Sequence, residues 1–134
     1  MNPRSGVAWQ VLGYAYSAMG RHDDAIAATQ RAAEYAPPWT FAVGIAYAQA
    51  GRMDEARGVL QTLLKRPATA YSMWARAMLA LHIGDADQFF SSIAFTPHHA
   101  FAPWVCAEAP ITRFKGDPRY PALFARFKLS PPPR

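Results

Sequence analysis

Along the first two thirds of the chain, apolar residues recur at three- and four-residue spacing, and Gly, Pro or paired acidic residues break the runs at regular intervals. This pattern predicts helices at about 5–19, 22–35, 38–50, 53–65, 69–83 and 86–95. Ser5 suits the cap of the first, and Pro38 suits the opening turn of the third. After Pro97 the pattern stops. The segment APITRFKGDPRYPALFARFKL then reads as a loop followed by a short helix. Asp117 is placed to cap that helix, and Pro118 has the fixed φ of a first helical position. Tyr120, Leu123, Phe124 and Phe127 recur at helical spacing, and Pro121 is tolerated because it falls in the first turn. The fold class is all-α.

The helices come in repeating pairs. Gly13, Tyr16, Gly20 and Ala25 recur in the same order and at the same spacing as Gly44, Tyr47, Gly51 and Ala56, within LGYAYSAMGRHDDAI and VGIAYAQAGRMDEAR. A weaker third copy, LALHIGDADQFF, places Gly84 at nearly the same interval after Gly51. Glycine inside a helix costs about 1 kcal/mol relative to alanine. Gly13 and Gly44 therefore predict close approach of a second helix, with Ala25 and Ala56 as the small residues facing them. Gly20, Gly51 and Gly84 are placed to end the first helix of each pair in the left-handed conformation. Asp23, Asp24, Asp54, Glu55, Asp85 and Asp87 follow, where negative charge suits a helix start.

Trp9, Leu12, Gly13, Tyr16, Ala25, Ala32 and Pro37 match the pattern W-x2-L-G-x2-Y, A-x3-F, P, so the chain resembles the tetratricopeptide repeat family. Thr29 replaces the aromatic expected before Ala32, which implies looser packing there. The second copy keeps Val43, Gly44, Tyr47, Ala56 and Leu60. The third keeps Ala77 and Gly84, but has Phe89 where the pattern has Ala, so its helices are expected to pack differently. The resemblance implies a superhelix of antiparallel helix pairs forming one domain. Residues 6–36 and 37–67 are two repeats, 68–96 a degenerate third, and 97–134 a C-terminal capping helix and tail. Pro3 precedes Pro37 by the usual length of one repeat. Residues 1–5 therefore read as the closing turn of a preceding repeat, and the chain as part of a longer protein.

A second resemblance rests on Asp117, Pro118, Arg119, Tyr120, Leu123 and Leu129. This ending resembles the C-terminal region of bacterial multidomain regulators: adenylate cyclases, winged-helix transcriptional regulators and some Ser/Thr kinases. It implies a bacterial source and a role in signal transduction or transcription regulation.

Composition narrows the chemistry. Hydrophobic residues make up 51% and charged residues 17%, the balance of a globular domain. No apolar run reaches membrane-spanning length, and no signal pattern opens the chain. Cys106 is the only cysteine, so it has no internal disulfide partner; with these features the expected location is cytoplasmic. His22, His82, His98, His99 and Cys106 lack zinc-ligand spacing, and the glycines form no phosphate loop. The paired carboxylates recur with the repeat, which fits helix-start electrostatics better than acid–base catalysis. The expectation is a non-enzyme with no cofactor and no metal.

The net charge of +5 lies on the tail. Residues 1–110 are balanced, whereas Arg113, Lys115, Arg119, Arg126, Lys128 and Arg134 face Asp117 alone within the tail segment. Interleaved with aromatics, these basic residues offer phosphate contacts, but the aromatics fall at core spacing, so nucleic acid is not the expected partner. In tetratricopeptide arrays the first helices of successive pairs line a groove. Carried over by position, that groove comprises Gln10, Tyr14 and Ser17, then Phe41, Ile45 and Ala48, then Trp74, Met78 and Leu81. The Lys and Asn of carboxylate-clamping relatives are absent, so an amphipathic helix or apolar peptide is the expected ligand. Two alternatives stay open: a groove filled by residues 97–129, and one filled by another copy of the chain. Self-association is expected from the apolar flank of the first helix.

Overall fold

The computed structural model describes residues 6–94 and 109–126. Ser5, His98, His99, Cys106, Phe127, Lys128 and Leu129 lie outside the described residues, as does the closing turn read at residues 1–5. Within the described residues the secondary structure is entirely helical: α1 Gly6–Ala18, α2 His22–Tyr35, α3 Thr40–Gln49, α4 Met53–Leu64, α5 Ala70–Ile83, α6 Ala86–Ala94 and α7 Arg119–Arg126. Short 3-10 segments, Pro37–Trp39 and Ala109–Phe114, precede α3 and α7.

The helices stack as pairs: α1 against α2, α3 against α4 and α5 against α6. Successive pairs join through α2–α3, α4–α5 and α3–α5. The tight turns inside each pair carry the predicted glycines. Gly20, Gly51 and Gly84 have φ of 75°, 80° and 92°. After each turn, the amide of the next residue reaches back to close the helix end: Arg21 N–H to Tyr16 O and Arg52 N–H to Tyr47 O, both 2.9 Å, and Asp85 N–H to Ala80 O, 3.0 Å. This return across the turn is what a left-handed glycine permits at a helix terminus.

Three local expectations change. Pro38 does not open α3: Pro37–Trp39 form a 3-10 turn, with Trp39 N–H donating to Ala36 O at 2.9 Å, and α3 begins at Thr40. The tightest contacts at Gly44 are with Leu79 and Val59 rather than with Ala56. A Cβ there would lie 2.7 Å from both δ-carbons of Leu79 and 3.1 Å from Val59, so the glycine seats α3 on α5 of the following pair. Gly13 does meet α2 at the Ala25 carbonyl, but its nearest neighbour is the Thr29 methyl, 2.7 Å from an added Cβ. Thr29 is buried and fixed by its own hydroxyl, which donates to the Ala25 and Ile26 carbonyls at 3.0 and 2.9 Å. The threonine is thus a compact fit to Gly13, and beside it remains a gap of about 10 Å³.

A continuous core runs from Phe41 and Ile45 through Leu60, Leu79 and Phe89 to Ile111, Phe114 and Phe124. Phe89, the substituted position of the third pair, is fully buried against Phe90 and Phe114, with ring centroids at 4.9 and 5.2 Å. The large residue gives the third pair an aromatic contact with the segment that follows. Tyr120, Leu123 and Phe124 of α7 are buried in the same core. Asp117 accepts the Arg119 amide at 2.9 Å, as a helix cap does.

Candidate protein-binding face

The face of interest is built by α1, α3 and α5. On α1, Gln10 is buried, Tyr14 is 50% exposed and Ser17 is half-buried. With Gly13, Thr29, Ala42, Ile45, Ala46 and Gln49 they line a shallow cleft between the first two pairs. On α3 and α5, Phe41, Ile45, Ala48, Met78 and Leu81 are all buried, while Trp74 is half-buried. Phe41 holds an aromatic cluster together. Its ring lies 5.3 Å from Trp74 edge-on, 6.4 Å from Tyr71 and 6.2 Å from Trp39. The accessible residues of the face are therefore Tyr14, Ser17, Gln49 and the partly covered Trp39, Tyr71 and Trp74, lying over a packed apolar floor. Tyr71 donates to Pro38 O at 3.2 Å, and burial, followed by the nearby Tyr14 phenol, pushes its pKa above the ordinary tyrosine value.

Tyr71 was legible only as an apolar position at the start of α5. Its place beside Trp74 and Tyr14 depends on how α5 stacks on α3, which spacing along one helix does not reveal. Thr69 and Ser72 were also missed, although the T-x-x-S spacing signals them. They form a reciprocal cap, Thr69 N–H to Ser72 Oγ at 2.8 Å and Ser72 N–H to Thr69 Oγ1 at 3.1 Å, that fixes the first turn carrying Tyr71.

The basic residues of the tail are tied into the fold. Arg113 Nη1 donates to Leu81 O and His82 O at 3.0 and 2.9 Å, at the C-terminal end of α5. Arg126 Nη2 donates to Ile93 O and Ala94 O at 3.3 and 3.0 Å, at the end of α6. Buried Arg76 does the same after α4, reaching Arg66 O at 2.7 Å. Each guanidinium meets carbonyls at the negative end of a helix. Arg119 bridges Asp117 at 2.7 Å and Asp87 at 3.0 Å, and lies 4.6 Å from the Phe90 ring centroid. Its hydrogen bonds hold the Asp117 carboxyl down at about 2, and the two carboxylates raise the pKa of Arg119 itself. Lys115 is exposed.

A paired device recurs at the turns. Arg21 lies 4.6 Å from the Tyr16 ring centroid and pairs with Asp24; Arg52 lies 5.1 Å from Tyr47 and pairs with Glu55. The Glu55 hydrogen bond raises the pKa of Arg52. The sequence signal is Y-x3-G-R-x2-[DE], present in the first two copies. In the third, Asp85 replaces the arginine and accepts the Gln88 amide at 3.1 Å. Arg113 there covers the glycine instead, 3.1 Å from where a Gly84 Cβ would stand.

Among the described residues, no group of three His, Cys, Asp or Glu is placed to hold a metal ion, and no helix is long and apolar enough to cross a membrane. Comparison with known proteins bears on the repeat directly. Residues 6–39 match the family model described as tetratricopeptide repeat, and residues 41–68 match a second model of the same description. No curated protein matches the chain. The fold is an all-α, tetratricopeptide-like helical repeat, and such repeats generally mediate protein–protein interaction.

Proposed function

With tetratricopeptide repeats as the premise, we propose that the chain is a non-catalytic scaffold that receives an apolar or amphipathic protein segment on the face of α1, α3 and α5. The observation that carries this reading is the aromatic surface of Tyr14, Tyr71 and Trp74 over the buried floor of Phe41, Ile45, Met78 and Leu81. Gln10 and Ser17 edge the same face. Partly exposed aromatics over a rigid floor give large contact area at low entropic cost. The tail sequence from Asp117 to Tyr120 supports a place within a bacterial regulatory or signalling protein, and the location that goes with it is cytoplasmic.

The burial of that floor favours a second reading, in which the face serves chiefly as structure. A nucleic-acid role draws less support, because Arg113, Arg119 and Arg126 already have partners within the fold. The immobilised chain separates these readings by affinity capture. A scaffold retains a partner that Tyr14→Ala with Trp74→Ala releases, at low and high salt alike. Lys115→Ala, which leaves the helix-end contacts intact, changes little. Loss of binding with Lys115→Ala or in high salt alone would favour the electrostatic reading. No captured partner at any salt would favour the structural one.

A further inference from the structure

Where the loop between α4 and α5 lies against the turn that precedes α3, the surface opens into a cleft of about 390 Å³, within the size range of ligand-binding clefts. Pro37, Pro38 and Pro67 form much of its wall, with Leu63, Ala75 and Tyr71. Proline has no amide, so this wall is apolar and offers an incoming chain few backbone donors. The hydroxyls at its edge are engaged within the fold: Thr69 and Ser72 cap each other, and Tyr71 bonds Pro38 O. Among the described residues lining the cleft, Arg66 alone is charged.

Neutral groups hold Arg66 in place. Its Nη1 donates to Pro37 O and its Nη2 to Thr40 Oγ1, both at 3.2 Å. The tightest arginine–carboxylate contacts of the chain, Arg52 to Glu55 and Arg119 to Asp117, are 2.6 and 2.7 Å, the shortening that an ionised acceptor brings. The planar fork of Arg66 has further N–H groups beyond the two so engaged. Its carbonyl accepts from Nη2 of Arg76 at 2.7 Å. Arg76 is 8% exposed, and its Nε is buried without a hydrogen-bond partner. Among the described residues, neither guanidinium is in an ion pair. A buried positive charge without a counter-charge is costly, and a carboxylate arriving at Arg66 offsets it. The end of α4 and the start of α5 meet at this loop, and their opposed dipoles offset one another, so the guanidiniums set the sign of the cleft.

Shape and charge together specify the occupant. A compact anion such as phosphate uses the guanidinium and leaves the apolar wall uncovered. A carboxylate with an apolar neighbour uses both. Tyr71 belongs to this cleft and to the α1–α3–α5 face, so the cleft continues the surface on which a protein segment is proposed to lie.

We propose that this cleft receives an acidic residue and the apolar residue beside it from a protein segment, the carboxylate pairing with Arg66 and the apolar side chain resting on the proline wall and Tyr71. The protein source of the carboxylate rests on the binding reading of the α1–α3–α5 face; the cleft itself does not.

The test titrates the full chain with two blocked tripeptides, acetyl-Leu-Asp-Leu-amide and acetyl-Leu-Asn-Leu-amide, which differ in one ionisable group, and with 4-methylpentanoate as a free acid. Amide shifts are followed by NMR. The expected result is perturbation at residues 63–66 and 70–75, with the aspartyl peptide bound about five- to tenfold more tightly than the asparaginyl one, the scale of one charge-assisted pair. Arg66→Gln removes that preference while the asparaginyl peptide keeps its affinity, which shows the cleft still formed. Arg66→Lys keeps the charge and part of the preference. Tyr14→Ala, on the face but outside the cleft, leaves the preference unchanged, so a failed capture experiment on the face does not decide this one. Equal affinity for the two peptides, no binding at millimolar concentration, perturbation elsewhere, or equal weakening of both peptides by Arg66→Gln would overturn the proposal. So would 4-methylpentanoate binding as tightly as the aspartyl peptide, which would assign the cleft to a free acid.

Discussion

Glycines at matched helical positions answer to different neighbours, and substitution separates them. At Gly44 an added methyl would fall 2.7 Å from the δ-carbons of Leu79, which is fully buried and has nowhere to move. Gly44→Ala gains helix propensity of about 1 kcal/mol but overpacks a closed contact costing about 1–3 kcal/mol. The expected outcome is a net loss in urea midpoint, larger for Gly44→Leu. Gly58, on α4, has nothing within 4 Å of an added Cβ. Gly58→Ala should raise stability by about 0.5–1 kcal/mol. If both alanines stabilise, α3 does not seat on Leu79. At Gly13 the obstacle is one methyl of a hydrogen-bonded threonine. Gly13→Ala should therefore be partly rescued by Thr29→Ser, which keeps the hydroxyl and removes the methyl; a double-mutant cycle measures the coupling.

At the scale of elements, arginines hold the carboxyl ends of helices, and the tail does this for α5 and α6. Arg113→Ala leaves the Leu81 and His82 carbonyls to water and should cost about 1 kcal/mol. Arg113→Lys should recover only part of this, because one ammonium cannot reproduce the planar fork. The α7 cap is set by pH. The Asp117 carboxyl is held at about 2 in the fold by Arg119, below the ordinary 3.8. A lowered carboxylate stabilises when ionised, so its contribution is complete above about pH 4. It falls away as the pH drops through the range between 3.8 and about 2. Exchange in α7 should accelerate over that acid range relative to α5, and Asp117→Asn should remove the difference. The helices themselves were legible: the predicted starts and ends lie within about two residues of those observed, because amphipathic spacing and a left-handed glycine are local signals. What neighbours what was less legible. The Leu79 contact of Gly44 and the helix-end roles of Arg113 and Arg126 join residues far apart along the chain, and Tyr71 enters the proposed face only when α5 lies on α3. Periodicity along one helix assigns a buried side but does not name the neighbour, so Phe41, Ile45, Met78 and Leu81 could be read as facing a groove without their depth being visible.

For the whole molecule, the core is unevenly distributed, and stability should follow it. The continuous aromatic and aliphatic core begins at Phe41 and reaches Phe124. The first pair is buried mostly through small residues, Ala25, Ala28, Thr29 and Ala32 with Ile26, and α1 itself buries only Gln10 and Gly13. Buried apolar area is worth roughly 25 cal/mol per Å², so a helix that buries so little is held mainly by its neighbour. In a stack where each pair contacts only the adjacent ones, the end with the smaller interface opens first. Amide exchange should therefore rank α1 as the least protected helix before Gln49 and α5, enclosed by α3, α4 and α6, as the most protected. Phe89→Ala, in the middle of the large core, should cost about 3–5 kcal/mol and lower protection in α5 and α7 together, since Phe89 touches Phe114 and shares the core with Phe124. Ile26→Ala should instead release α1 and α2 while leaving α5 near its original protection. Equal protection across all the described helices, or an Ile26→Ala effect that reaches α7, would show that the molecule unfolds as one unit and that the small-residue packing of the first pair transmits as much stability as the aromatic core.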